Sequence, residues 1–160
     1  MSNTYSASKI VLTVAGIRVT GFGETDMVNV ERDESKFIKI TGADGVVSRS
    51  HIVSNAGQIT ITLQQTSAAN DVLTGLLLAD EVSLAAQFPV TIKDLNGSTN
   101  IIAADCWIQG PPAVPMNKLI TDRVWIIDVA DLSMFVGGND GGLLNGAVGQ
   151  IAAIGQSILT

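Results

Sequence analysis

Apolar and polar residues alternate along most of this chain with the period of two that is typical of β-strands. In residues 59–64, isoleucine or leucine occupies every odd position, so the apolar side chains share one face of the predicted strand. Thr60, Thr62 and Gln64 share the other face, which is polar but uncharged. Comparable runs predict further strands at residues 9–14, 17–20, 28–31, 37–41, 46–49, 89–94, 101–108 and 124–129.

Short glycine-containing dipeptides separate several of these runs and predict turns. Ala-Gly at 15–16 lies between the first two runs and indicates a hairpin or a bulge. Asp-Gly at 44–45 and Asn-Gly at 96–97 are stronger hairpin signals, because tight two-residue turns need positive backbone φ angles. Proline-rich residues 110–115 predict a loop before the last strand. The chain is therefore predicted to be mainly β.

One segment follows the helical period instead. Ser67 or Asn70 can cap its start, and Asp71 lies in the first turn, where the helix dipole favours an anion. Gly75 weakens the helix by about 1 kcal/mol relative to alanine, so we expect the helix to depend on docking against a sheet. We expect it to end at residues 80–81. Its apolar stripe consists of Val72, Leu73, Leu76 and Leu77.

The character of the sequence changes after residue 136. Glycine-rich residues 137–142 predict a flexible linker, and apolar residues at helical spacing follow it. This last segment is either a weak amphipathic helix that becomes ordered on a neighbouring copy or a frayed terminus. We predict a β domain over residues 1–136 and a Gly/Ala-rich C-terminal tail over residues 137–160.

The composition indicates a globular chain with an unusually uncharged surface. Hydrophobic residues make up 46% of the 160 residues and charged residues 15%, against roughly a quarter in average globular proteins. Some of the uncharged surface is therefore expected to be covered by further copies of the chain. The net charge is −6, so the chain lacks the basic footprint with which proteins neutralise nucleic-acid phosphates. We expect DNA near this protein to be repelled.

Residues that carry chemistry are scarce. His51 is the one histidine, and no G-x-S-x-G motif accompanies it, so an edge-strand histidine is favoured over a catalytic triad. The chain has no P-loop, no G-x-G-x-x-G and no H-E-x-x-H sequence. Cys106 is the one cysteine, which excludes an intrachain disulfide, and its apolar neighbours predict a buried thiol. We expect no enzymatic activity, no metal site and no cofactor.

The start of the sequence lacks the basic and apolar regions of a signal peptide. No apolar run approaches the length that a membrane-spanning helix needs. The protein is therefore expected to remain in the cytoplasm at least until it assembles.

A series of motifs lies between residues 31 and 78. It begins with Glu-Arg-Asp-Glu-Ser-Lys-Phe at 31–37 and continues with Gly-Ala-Asp-Gly at 42–45 and Arg-Ser at 49–50. The alternating strand and the leucine-rich helix complete it. In this order the motifs resemble a family of phage tail tube proteins, specifically the group found in phages with contractile tails. The resemblance covers about a third of the chain and does not extend to the tail after residue 136.

The resemblance implies a β-sandwich or open β-barrel with one flanking helix. It also implies hexameric rings joined edge to edge and stacked into a tube, through which DNA travels from the capsid to the host. The expected partners are further copies, the tail sheath, the baseplate or initiator and the tail terminator, and the expected location is the virion tail. The fold is shared with the inner tube of type VI secretion, which makes that system the nearest alternative.

Two sets of residues are candidates for the surfaces of such a tube. Residues 28–50 are predicted to make much of the contact between copies, because mixed charges fix register better than they add affinity. The lumen must let a polyanion pass, so a neutral or acidic wall is expected there. The predicted interface residues are Glu31, Arg32, Asp33, Glu34, Lys36, Asp44 and Arg49, and the predicted lumen-facing residues are Thr60, Thr62 and Gln64.

A β-sandwich adhesin or carbohydrate-binding module is the competing interpretation. Sugar sites usually display exposed aromatic rings, whereas aromatic residues make up 4% of this chain. Trp107 and Trp125 both lie in apolar strands, which predicts core positions. The composition therefore favours an assembly subunit over a sugar-binding module.

Overall fold

A computed structural model describes residues 3–139 of the chain. It confirms a mainly β architecture with one α-helix in that part of the chain, and the antiparallel sheets do not close into a barrel. A short 3-10 turn at Ala7–Lys9 precedes the first strand. The predicted division at residue 136 stays a prediction, since most of the tail lies outside the described residues. The elements are β1 (Ile10–Val14), β2 (Ile17–Arg18), β3 (Val28–Arg32), β4 (Phe37–Thr41), β5 (Val47–His51), β6 (Gly57–Gln64), α1 (Ala69–Ser83), β7 (Phe88–Asp94), β8 (Asn100–Ile108) and β9 (Asp122–Phe135).

The described residues form two compact units. The first unit comprises residues 3–19, 89–103 and 133–139, with the strand order β2-β1-β7-β8. β1 pairs antiparallel with both β2 and β7, and Leu12 lies opposite Ile92. Leu12 is fully buried, and Ile92 is nearly so. Of the hairpin or bulge predicted at 15–16, the structure forms the hairpin, and both residues have positive φ angles.

The second unit comprises residues 20–88 and 104–132, with the strand order β8-β9-β6-β3. β6 pairs antiparallel with β9 over its whole length and with β3 over its first half. Its alternation is confirmed, because Ile59, Ile61 and Leu63 are fully buried. Ile127 on β9 lies opposite Ile59 and is also fully buried, so the core of this unit lies on that face.

The helix α1 lies on the apolar face of the second unit's sheet. Trp125 lies opposite Ile61 in the sheet and donates a 2.9 Å hydrogen bond from Nε1 to Oδ1 of Asn70. Leu73 and Leu77 are buried, so the predicted dependence of the helix on docking agrees with its environment. Asn70 is not the cap, because it lies within the helix and its Oδ1 accepts the bond from Trp125.

The helix starts beside Ser67, one of the two predicted caps, and ends later than predicted. The helix begins at Ala69, and the Ser67 hydroxyl accepts the Ala69 N–H at 3.2 Å. It ends at Ser83 rather than at residues 80–81. Leu84 stops it by adopting a left-handed conformation with φ 57°, and its N–H bonds to the Asp80 carbonyl at 2.7 Å.

The two strongest turn signals form hairpins by different geometries. At the β4–β5 turn, only Gly45 has a positive φ, and its N–H bonds to the Gly42 carbonyl at 3.0 Å. At the β7–β8 turn, neither Asn96 nor Gly97 has a positive φ, so the predicted two-residue turn is wrong. Glycine is needed at 97 for another reason, since a Cβ there would lie 2.7 Å from the Gly138 carbonyl oxygen.

Two isoleucines offer a matched test of where the core lies. We expect Ile61→Ala to lower the free energy of unfolding by about 2–5 kcal/mol, because it removes fully buried apolar atoms and leaves a cavity in the core. Ile38→Ala removes the same atoms from a half-exposed site in β4 and should change that free energy by at most about 0.5 kcal/mol. Urea unfolding of the unassembled protein measures both. An equal loss from the two variants would place the β4–β5 hairpin in the core and contradict this assignment.

Candidate assembly surfaces

The hairpin of β4 and β5 forms a two-stranded sheet of its own, and we call residues 37–51 the arm. Every residue of both strands is exposed, on both faces of the hairpin. Ile40 is 57% exposed and Val47 60%. An isolated two-stranded hairpin is marginally stable in water, and contiguous exposed apolar surface marks interaction sites. The arm is therefore a surface suited to being covered by a partner.

An aromatic and cationic cluster stiffens one face of the arm. The rings of Phe37 and His51, which lie opposite each other in the pair, have centroids 5.3 Å apart. The Arg49 guanidinium carbon lies 4.3 Å from the centroid of the Phe37 ring, which is the geometry of a cation–π contact. His51 is thus an exposed residue of an edge strand, as the sequence favours.

Two of the predicted interface cations hold the base of the arm. Lys36 donates from Nζ to the Ser54 carbonyl at 3.2 Å and to Oδ1 of Asn55. Arg32 donates from Nη2 to the Leu132 carbonyl at 2.7 Å. Lys36 therefore joins the segment that enters the arm to the segment that leaves it, and Arg32 joins the end of β3 to β9. Their predicted contact with another copy stays a prediction.

The predicted interface carboxylates lie at different places. Asp33 and Glu34 are exposed between β3 and β4, and the Asp33 N–H bonds to the Ala56 carbonyl at 3.1 Å. Asp44 is exposed at the tip of the arm, where its Oδ1 accepts the Val46 N–H at 3.2 Å. The structure brings Asp33, Glu34, Arg32 and Lys36 together at the arm base and places Asp44 and Arg49 farther along the arm.

The predicted lumen-facing residues lie on the sheet face opposite α1. Residues that are directly opposed in an antiparallel sheet point to the same side, so the strand registers define this face. Thr60 is flanked by Asn29 and Ile126, and Gln58 by Glu31 and Asp128. Glu31, predicted as an interface residue, therefore shares this face with the threonines. We call it the polar face, and it comprises Asn29, Glu31, Gln58, Thr60, Thr62, Gln64, Asp122, Val124, Ile126 and Asp128.

The polar face carries the carboxylates of Glu31, Asp122 and Asp128 and no lysine or arginine. Gln64 is exposed, and Thr60 and Thr62 are half-buried. Arg32 and Arg123 lie on the same strands but are opposed to Gly57 and Leu63, which places them on the other face. The polar face is therefore acidic and accessible to solvent.

Residues 3–139 contain no group of three or more His, Cys, Asp or Glu side chains arranged to hold a metal ion. In the same stretch, no helix has both the length and the apolar character that crossing a membrane requires. Cys106 is buried, as predicted.

The sequence located the arm strands but did not reveal that both of their faces are exposed. A signal was present, because Phe37, Ile38 and Ile40 put apolar side chains on both faces of one short strand. A strand with one buried face alternates, whereas a strand that is apolar on both faces is covered on both. The roles of Arg32 and Lys36 left no comparable signal, because no local sequence pattern links them to partners that lie farther along the chain.

Known proteins resemble this chain in sequence and in fold. The model of the family described as "Bacteriophage PhiTE tail tube protein" matches residues 2–137. "Structural protein ORF10" of Pseudomonas phage KPP10 is 30% identical over 146 residues, which cover 86% of this chain and 84% of that protein.

Solved structures with a similar fold come from contractile injection systems. The cap that terminates the anti-feeding prophage tube superposes with a TM-score of 0.59 at 8% identity, covering 85% of this chain and 93% of that one. The sheath–tube complex of the extracellular contractile injection system PVC, in its extended state, gives 0.58 at 9% identity, covering 83% and 92%. Identities this low establish the fold alone.

The bonds of Lys36 predict a local effect of its removal. We expect Lys36→Met to speed amide hydrogen exchange in residues 37–51 several-fold, because the base of the arm loses its bonds to Ser54 and Asn55. The free energy of global unfolding should change by at most about 1 kcal/mol. Lys39→Met, at an exposed site within β4, is the matched control. Equal exchange in the two variants would show that Lys36 does not hold the arm.

Proposed function

This chain belongs to the bacteriophage tail tube protein family, and from that premise we propose that it is a structural subunit whose copies form stacked hexameric rings. The rings make the tail tube of a virion, and DNA passes through its bore into the host. The main structural support for this proposal is the arm, a hairpin that is exposed on both faces in a single copy. Surface of this kind is stable and soluble when further copies cover it.

The outermost strands β2 and β3 supply the contacts within a ring. β3 is the outermost strand of the second unit's sheet, and β2 is the outermost strand of the first unit's sheet. Outermost strands present backbone N–H and C=O groups that can pair with another chain. A head-to-tail contact between two different margins closes into a ring when its rotation closes.

The polar face is proposed as the wall of the bore. Its carboxylates and the absence of lysine and arginine give DNA no cation with which to replace counterions. A polyanion therefore slides past it without adhering. In this arrangement α1, on the opposite face of the sheet, lies on the outside of the tube, where a sheath protein would make contact.

The remaining partners follow from the same assembly. The ends of a stacked tube need an initiator or baseplate at one end and a terminator at the other, since an open stack has two unlike ends. The role is structural and requires no catalysis, metal or cofactor. The subunit assembles in the host cytoplasm and ends in the virion tail.

Neither competing function has a specific observation in its favour. The injection-system neighbours share the fold at identities of 8–11%, whereas the phage family matches nearly all of the described residues. A sugar-binding module would use exposed tryptophans, but Trp125 is buried and Trp107 is half-buried.

Electron microscopy of the concentrated protein tests the proposal. We expect tubes or six-fold rings from the wild-type chain. Asp33→Lys/Glu34→Lys should abolish them while the monomer stays folded, because it reverses charges at the base of the arm. Glu24→Lys/Asp26→Lys makes the same net charge change at other exposed sites and is the control. A wild-type protein that remains a monomer at every concentration would overturn the proposed function, and normal tubes from the first variant would overturn the role of these carboxylates.

Thiol labelling of preformed tubes tests the wall of the bore. A cysteine at Thr60 should react with a small maleimide but not with maleimide fixed to beads, because a bead cannot enter the bore. Ala79→Cys, on an exposed position of α1, should react with both. The unassembled variants should both bind the beads, and Cys106 is buried in each. Capture of Thr60→Cys tubes on beads would place the polar face outside.

A further inference from the structure

A pocket of about 440 Å³ opens in the second unit beside α1 and the loop that precedes β9. Its volume lies within the roughly 300–1,000 Å³ that is usual for binding pockets. Leu77, Trp125 and Pro112 contribute apolar walls. Val114 and Met116 line the pocket and are 54% and 75% exposed. The pocket therefore presents accessible apolar surface of the kind that a partner covers.

Arg123 is a buried cation at this pocket. Its side chain is only 6% exposed and lines the pocket. Nη1 donates to Oγ1 of Thr121 at 2.8 Å, to the Thr121 carbonyl at 3.3 Å and to the Asp122 carbonyl at 3.5 Å, and Nη2 donates to the Pro115 carbonyl at 3.3 Å. All of these acceptors are neutral. A buried guanidinium ordinarily pairs with a carboxylate, so this one is only partly compensated.

The hydrogen bonds of Arg123 engage only part of its guanidinium group. Within residues 3–139, these bonds run from Nη1 and Nη2, and none runs from Nε. A guanidinium binds a carboxylate through two parallel hydrogen bonds, and a carboxylate carries the negative charge that the neutral acceptors do not supply. A carboxylate is therefore the chemical group that would compensate Arg123 at this pocket.

The arm and the pocket lie at opposite ends of β6. Residues 52–56 lead from the arm directly into Gly57, the first residue of β6. Gln65, which follows the last residue of β6, lines the pocket. The 8-residue strand separates the two ends by about 26 Å. When the arm lies at one end and the pocket at the other, the arm of one copy can contact the pocket of the next. Such a head-to-tail contact can repeat without limit along a stack.

The arm tip has the chemistry that the pocket lacks. Asp44 is an exposed carboxylate in the turn. Val46 and Val47, which follow it, are each 60% exposed. The arm tip is therefore complementary to the pocket in two respects. The Asp44 carboxylate is opposite in charge to the Arg123 guanidinium, and the valines can pack against Val114 and Met116.

We propose that the arm tip of one copy inserts into the α1 pocket of the next copy in the stack, where Asp44 pairs with Arg123 and the valines contact Val114 and Met116. The proposal rests on the proposed function and adds to it the receptor for the arm. The occupant is a second copy of this chain, because one chain carries both complementary parts at opposite ends.

A double-mutant cycle measures the pair. In wild-type protein that forms tubes, Asp44→Asn and Arg123→Gln should each raise the concentration needed for tube formation by about tenfold or more. The double variant should be no worse than either single variant, because the interaction is already lost. Lys118→Gln, at an exposed site in the same loop, should leave that concentration unchanged and combine additively with Asp44→Asn. Full additivity of the Asp44 and Arg123 changes would overturn the pairing.

Cysteine cross-linking tests the contact without removing Arg123, whose loss also weakens the loop before β9. Asp44→Cys/Met116→Cys tubes should give a ladder of covalent oligomers on oxidation, since a disulfide needs Cα atoms about 4.4–6.8 Å apart. Asp44→Cys/Val82→Cys, with the second cysteine on an exposed α1 position outside the pocket, should give none.

The outcomes separate this inference from the proposed function. If the wild-type protein forms no tubes, the proposed function itself is overturned. If the wild-type chain forms tubes but Asp44→Cys/Met116→Cys tubes give no ladder, the proposed function stands and the arm receptor is overturned. Arg123→Gln tubes that assemble normally but fail to bind a sheath protein would assign the pocket to that protein and also overturn the inference.

Discussion

The alternation of side chains along β6 determines which face of the second unit's sheet is buried in the core and which face remains exposed to solvent. Ile59, Ile61 and Leu63 are fully buried on the side where α1 lies, while the polar face carries threonine, glutamine and carboxylates. Because the period is two, a slip of one residue against β9 would exchange the two faces completely. Gly57 helps to fix the register, since a Cβ there would lie 2.7 Å from the Glu31 carbonyl oxygen. One strand thus separates the packed face of the sheet from the polar face that we propose as the wall of the bore.

The arm is stabilised by different interactions from those that stabilise the core. Its strands are held by their own ladder and by one aromatic and cationic cluster, with no buried face to add hydrophobic free energy. Arg32 and Lys36 restrict its base with bonds to backbone carbonyls, which lowers the entropy that docking has to remove. We therefore expect substitutions in the arm to act mainly on association and substitutions under α1 to act mainly on folding. A subunit that must remain soluble before assembly benefits from this separation.

The elements were predictable where a local rule decides them. The alternation in residues 59–64, the existence of the three hairpins and the docked helix follow from side-chain period and turn signals, although the turn geometry predicted at residues 96–97 does not. The failures are places where tertiary structure overrides the local rule. Asp105 has a φ of 54° within β8, and the burial alternation shifts by one residue there, from Ala103 to Cys106. No residue type in this strand predicts such a shift in the alternation. Likewise, burial of Arg123 depends on a loop whose sequence suggests only irregular structure.

Electrostatics explains why the few cations matter more than their number suggests. Copies that each carry a charge of −6 repel one another, so a stack needs local attraction to offset this. Arg49 lies on a Phe37 ring in the arm, and Arg123 is buried beside apolar surface, where solvent and salt screen a charge least. The acidic polar face contributes to the repulsion, and in the proposed tube its charges would be tolerated because they would face an aqueous bore. Under that proposal, cations at the contacts and carboxylates on the bore would let one chain bind its copies without binding DNA.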